Sequence, residues 1–193
     1  MKHNRFAYTN PSEITNTILK SNVITNLCRR AVEQGADYIE CDVEVTRDLE
    51  LVCSHEPWLS EVIDTSLYPE FTSRQSTYEI MDDDPELNWN DKGNITDWFI
   101  FDFTLKELKS LKRIQRLSYR DQSYNNMETF CTFKEYMEIA KNGNVGIYPE
   151  FKSASFTNNL LKSRGHKTTI YELILKVLPF RSFFKGHLII VKH

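Results

Sequence analysis

Apolar residues recur at a helical period through Ile18, Val23, Leu27 and Val32, and this spacing predicts a helix over residues 12–34. Gly35 then ends that helix as a C′ glycine does. The pattern changes to period two. Tyr38 to Val45, YIECDVEV, reads as a strand, Thr46-Arg47-Asp48 as a turn, and Leu51 to Ser54 as a second strand. Residues 57–100 have no regular pattern and are rich in Asp, Asn, Ser and Pro. So long a stretch exceeds a plain connection, so a surface insertion with its own packing is expected there. FTLKELKSLKR, from Phe103, returns to helical spacing, with Leu105, Leu108 and Leu111 on one face. Thr104 is its N-cap, and Glu107 three residues on completes a capping box. Residues 113–130 read as loop. Thr132 and Glu135 repeat the capping signature for a helix to about Lys141. Val145 to Phe151 reads as a strand, residues 168–178 as a helix capped by Thr168 or Thr169, and Leu188 to Val191 as a last strand. Strands alternate with helices from Gly35 on, which predicts α/β units and a parallel sheet.

Composition narrows the function classes. The chain has 193 residues, the size of one domain, with 40% apolar and 26% charged residues. Its net charge of −3 comes with no basic block, so neither a nucleic-acid surface nor a polybasic membrane surface is expected. No apolar run reaches the roughly 18 residues of a transmembrane helix. The N-terminal MKHNRFAYTNPSEITN lacks the apolar core of a signal peptide. Cys28, Cys41, Cys53 and Cys131 lack metal-type spacing and do not read as a disulfide scaffold. Asn94-Ile95-Thr96 fits a glycosylation sequon, which matters only in a secreted chain.

The candidate chemistry lies in the strand–turn–strand. With Arg47-Asp48 as a two-residue loop, Asp42 would face Cys53 and Glu40 would face His55, placing the histidine beside two carboxylates. A slip of one residue would pair Cys41 with His55 instead. Carboxylates on one face repel unless a cation joins them, and hard oxygen ligands favour Ca²⁺ or Mg²⁺. Glu150, in VGIYPEFK, is a third candidate ligand, and Lys152 shares its face and could hold an anion. Such a set suits metal-assisted phosphoester hydrolysis with a histidine passing the proton. A plainer reading makes Glu40, Asp42 and Glu44 the solvated face of an edge strand, Glu150 and Lys152 a cross-strand ion pair, and His55 a structural residue. Asp82-Asp83-Asp84 with Glu86 lacks the spacing of a calcium loop and reads as a solvated face.

GADYIECDVEVTRDLELVCSHE resembles the core motif of the glycerophosphodiester phosphodiesterase family, with its Glu-x-Asp strand, turn and His-Asp or His-Glu pair in that order. FDFTLKELKSL and VGIYPEFK resemble later blocks of the family, and LSYRDQSYN and IYPE are similar to the branch related to the bacterial periplasmic enzyme. The resemblance, over Leu27 to about Asn158, implies a (β/α)₈ TIM barrel of which about half is present, its site at the C-terminal ends of the strands. It implies that Glu40, Asp42 and Glu150 are metal ligands, His55 is one of two catalytic histidines, and Lys152 contacts phosphate. The implied reaction is metal-dependent cleavage of a small glycerophosphodiester, such as glycerophosphocholine, to glycerol 3-phosphate and an alcohol. The family's His-Arg-Gly motif on the first strand, which carries the second histidine, is not found before Leu27. The expectation is therefore one domain over 1–193, incomplete at both ends, that turns over poorly by itself. The related spider phospholipase D toxins and a non-enzymatic metal- or protein-binding fragment are the alternatives. The branch suggests a secreted or extracytosolic protein without a visible signal peptide; localisation and oligomeric state stay open at this point.

Overall fold

The computed structural model describes residues 6–7, 24–80, 93–119, 122–151, 154–178 and 191–192. It is a mixed α/β fold with an incomplete barrel sheet: strands β1 (Phe6–Ala7), β2 (Tyr38–Val45), β6 (Gly146–Phe151) and β7 (Val191–Lys192) lie in that order and pair in parallel. β3 (Leu51–Cys53) pairs with β2 antiparallel. β1 escapes sequence reading because two residues carry no periodicity.

Helix α1 (Ile24–Glu33) leads into β2. The Ala36 N–H donates to Ala31 O and the Gly35 N–H to Val32 O, and Gly35 has φ +82°, a Schellman ending that needs glycine's left-handed freedom. The part of the expected helix before residue 24 lies outside the described residues. All eight residues of β2 are buried. Ile39, Cys41, Val43 and Val45 enter the main apolar core with Ile147 and Phe151 of β6. Glu40, Asp42 and Glu44 take the opposite face. β2 is flanked by β1 and β6, so these acids are not the solvated face of an edge strand; each is less than 9% exposed.

The hairpin register differs from the expected one. Val43 pairs with Cys53, Glu44 with Val52 and Val45 with Leu51, a one-residue slip from the pairing of Asp42 with Cys53. The cause is the loop length. The Thr46 N–H donates to Glu50 O and Leu49 adopts φ +65°, so the loop holds three residues closed by a left-handed one rather than two. The Asp48 carboxylate reinforces it by accepting from the Thr46 hydroxyl at 2.6 Å and from the Leu105 N–H at 2.9 Å. Cys41 and Cys53 form a disulfide across this hairpin, a single bridge that the cysteine spacing did not indicate, while Cys28 and Cys131 are buried thiols.

The stretch read as irregular contains two 3-10 turns, a third that begins at its last residue, Ile100, and an antiparallel hairpin, β4 (Ser76–Ile80) with β5 (Gly93–Asp97). Residues 81–92, with the acidic run, lie outside the described residues. Trp58, Leu59, Val62, Ile63, Phe99 and Ile100 of this stretch are buried. Tyr78 ties the hairpin down: its ring packs edge-on to Phe99 at 4.8 Å and its hydroxyl donates to Asp102 Oδ1 at 2.8 Å.

Capping decides three helices. Thr104, Thr132 and Thr169 each form a complete capping box, with Glu107, Glu135 and Glu172, at the starts of α2 (Leu105–Ser110), α3 (Phe133–Gly143) and α5 (Ile170–Val177). Sequence reading missed α4 (Ala154–Ser163), which has no acidic residue in its first turn to mark it. Of the expected last strand, Leu188 to Val191, residues 188–190 lie outside the described residues, and Val191 with Lys192 forms β7.

Candidate metal and active site

β2 and β6 run parallel with Glu40 opposite Tyr148 and Asp42 opposite Glu150. This register puts three carboxylates on one face, two from β2 by its period of two and one from the neighbouring strand. Glu40, Asp42 and Glu150 each offer an oxygen within 4.8 Å of the others'. Glu40 and Asp42 are buried and Glu150 is half-buried. Three formal negative charges this close, with little water to screen them, favour a cation between them. All-oxygen donors suit Ca²⁺ or Mg²⁺, so the residues present fit a hard divalent ion.

His55 is not part of that cluster. Its Nδ1 lies 2.6 Å from Glu56 Oε1. An ionised carboxylate only accepts, so this contact holds the proton on Nδ1 and leaves Nε2 as the other working nitrogen. Arg116 stands behind, its guanidinium 3.5 Å from Glu56 Oε1 and 3.1 Å from Glu61 Oε2. The Glu56 side chain is 9% exposed and the His55 ring 29%, so the histidine keeps a path to solvent while its partner does not.

The segment carrying His55 is fastened to β2, the strand of Glu40 and Asp42. The Ser54 N–H donates to Asp42 O at 3.0 Å, and the Cys41–Cys53 disulfide sits just before it. Arg113 braces the end of β3 by donating to Cys53 O at 3.2 Å while lying over the Phe130 ring at 4.9 Å. Full burial lowers the Arg113 guanidinium to about 10. Beneath β2 and β6, burial pushes the Tyr136 phenol well above its usual range, with nearby Cys28 adding to the shift, so the hydroxyl stays protonated and can donate. Burial likewise raises the Cys28 thiol, helped by Cys131 and Glu40, which makes it an inert thiol.

The structure therefore brings Glu40, Asp42 and Glu150 together and sets His55 apart with Glu56. Lys152 lies outside the described residues. The role of Glu56 escaped the sequence reading although it directly follows His55 in the His-Glu pair that the reading quoted. Tyr136 escaped it too, because its partner is 97 residues away.

No helix among the described residues is long and apolar enough to cross a membrane. A glycerophosphodiester phosphodiesterase of Arabidopsis thaliana, GDPD6, is 42% identical over 135 residues, covering 69% of this chain and 34% of its own length. A glycerophosphodiester phosphodiesterase of Haemophilus influenzae is 26% identical over 143 residues, covering 65% of this chain and 34% of its own. The chain thus spans about a third of the length of these curated relatives. Among solved structures, an Oleispira antarctica phosphodiesterase in complex with the product sn-glycerol-3-phosphate superposes with a TM-score of 0.56 at 21% identity, over 97% of this chain and 56% of that one. A Silicibacter pomeroyi putative glycerophosphoryl diester phosphodiesterase gives 0.55 at 14% identity, over 90% and 52%. These structural likenesses establish the fold, a partial TIM barrel. Enzymes of this kind are in general divalent-metal dependent, in line with the acidic cluster. The model of the glycerophosphoryl diester phosphodiesterase family matches residues 26–191, from within α1 through β2, the His55 segment and β6, and on that match the chain belongs to this family of phosphoric diester hydrolases.

Proposed function

We propose that this chain carries the metal-holding wall of a site that hydrolyses glycerophosphodiesters, such as glycerophosphocholine, to glycerol 3-phosphate and an alcohol. The observation that carries this reading is the cluster of Glu40, Asp42 and Glu150, with oxygens within 4.8 Å of one another. These three residues hold Ca²⁺ or Mg²⁺, which when bound polarises the phosphodiester as a Lewis acid. His55 acts as general acid. Glu56 stabilises its imidazolium through Nδ1, and Nε2 gives its proton to the oxygen of the departing alcohol. Lys152 contacts the phosphate, a role supported by sequence resemblance alone. The Cys41–Cys53 disulfide supports folding in an oxidising, extracytosolic compartment.

The test is calorimetric titration with Ca²⁺ and Mg²⁺, followed by an assay for glycerol 3-phosphate release with and without chelator. Binding that Glu40→Gln and Asp42→Asn both abolish, with chelator-sensitive release, supports the reading. Absence of divalent binding would sink it.

One observation favours a second reading, a cation-binding module without turnover. β1 stands beside β2 on the side away from β6, and its two described residues, Phe6 and Ala7, include no histidine to complete a catalytic pair. Cation binding without release of glycerol 3-phosphate would move this reading to first place.

A further inference from the structure

The two strands that supply the ligands are tied together from the helix side by one buried hydroxyl. Tyr136, on α3, is completely buried and its ring packs beside Phe133 at 5.5 Å. Its hydroxyl donates to Ile39 O on β2 at 2.5 Å and accepts from the Tyr148 N–H on β6 at 3.3 Å.

The position of this bridge is informative. The parallel ladder between the strands starts with the Gly146 N–H on Asp37 O. Two residues on along both strands, the next rung falls at the Tyr148 N–H and Ile39 O. The Tyr136 hydroxyl reaches both ends of that rung. Ile39 directly precedes Glu40, Tyr148 is the register partner of Glu40, and Asp42 faces Glu150 two residues further on. The bridge therefore lies at the level of the first ligand, on the opposite side of the sheet from the carboxylates. Ligands drawn from two strands meet one ion only if the strand separation is held, because a small change in separation moves Glu150 relative to both β2 acids.

We propose that Tyr136 is a positioning residue: its hydroxyl sets the β2–β6 separation beneath the acid cluster and thereby tunes the cluster's affinity for a divalent cation. This rests on the metal-holding role of Glu40, Asp42 and Glu150 argued above. Metal sites commonly depend on such supports, whose removal weakens binding about 10- to 100-fold. The hydroxyl touches no ligand atom, so the lower end of that range is expected here.

The test compares Ca²⁺ affinity of the wild-type chain with Tyr136→Phe, which keeps the ring and deletes the bridge. Phe133→Leu serves as a control that disturbs the same packing and leaves the bridge in place. The expected result is about tenfold weaker Ca²⁺ binding for Tyr136→Phe and unchanged binding for Phe133→Leu. Equal affinity of wild type and a folded Tyr136→Phe overturns the inference and leaves the metal reading standing. Absence of Ca²⁺ and Mg²⁺ binding by the wild type overturns the metal reading and this inference with it. If Tyr136→Phe does not fold, amide exchange of the wild type decides. Saturating Ca²⁺ is expected to slow exchange at the Tyr148 N–H more than at the Gly146 N–H, since the cation and the bridge act on one strand separation. Equal slowing at both amides overturns the inference.

Discussion

Asp42 and Glu150 stand directly opposite each other on adjacent parallel strands, with Glu40 two residues back on the same face. Strands are about 4.8 Å apart, so this register places acidic side chains on neighbouring strands with little room for water between them. On the proposed metal-holding role, a bound cation offsets the repulsion among these three carboxylates. The Asp42→Asn variant is expected to melt at or above the wild-type temperature without divalent ions and to lose at least about tenfold in Ca²⁺ affinity. Thermal melts with and without Ca²⁺ read both effects, and a large Ca²⁺-induced shift retained in Asp42→Asn would contradict the ligand assignment.

Glu56 orients His55 through a contact of 2.6 Å at Nδ1. Its replacement by Ala removes the only carboxylate that the structure places on that nitrogen among the contacts described for His55. Nitrogen-15 NMR of the imidazole is expected to show the Nδ1–H tautomer in the neutral wild-type ring and a shift toward Nε2–H in Glu56→Ala. Where hydrolysis is measurable, His55→Ala is expected to reduce it by about 10²–10⁴-fold. An unchanged tautomer would remove Glu56 from the mechanism.

The Cys41–Cys53 disulfide closes a loop with a sequence separation of 12 and fastens the His55 segment to β2. The chain-entropy model assigns such a loop about 3 kcal/mol. Urea denaturation with and without reductant, and of Cys53→Ser, is expected to show a loss of that order. The reduced chain is also expected to hold His55 less firmly, visible as broadened imidazole resonances.

Gly143 lies where α3 meets α1. A Cβ there would come within 2.3 Å of a Val32 methyl, on a short branched side chain that cannot swing away. Gly143→Ala is expected to destabilise the chain by about 1–3 kcal/mol despite alanine's better helix propensity. A stability gain in chemical denaturation would show that the helices separate easily at this point.

Two capping carboxylates give the stability a defined acid limb. Burial works to raise Glu107, but hydrogen bonds from the Thr104 N–H and hydroxyl, together with Arg74 at 2.7 Å, hold it below the usual carboxylate range. Glu135 is held down in the same way against its burial, by Lys109 and Thr132. With folded values below the unfolded ones, their contribution is fully present above the ordinary glutamate pKa of about 4.3. It is lost as pH falls from there through the lower folded values. Denaturation midpoints between neutral pH and about pH 3 are expected to fall less steeply for Glu107→Gln than for wild type.

The sequence by itself determined the elements whose signals are local. Thr104 with Glu107 and Thr132 with Glu135 marked helix starts, Gly35 marked a helix end, and YIECDVEV marked a strand, because caps and periodicity act within a few residues. It also named Glu40, Asp42, Glu150 and His55 as one set of candidates, through motif order. What it could not supply was the distance between chain segments. A single residue at Leu49, taking a left-handed conformation, lengthened the hairpin loop and shifted its register by one. That shift is a backbone choice worth about 1 kcal/mol that residue identity does not announce. The tertiary structure alone decided that Cys41 bonds to Cys53, that β2 is an interior strand with its acids buried, and that Tyr136 reaches both β2 and β6. Each of these depends on packing between residues far apart in sequence, where local propensity carries no information.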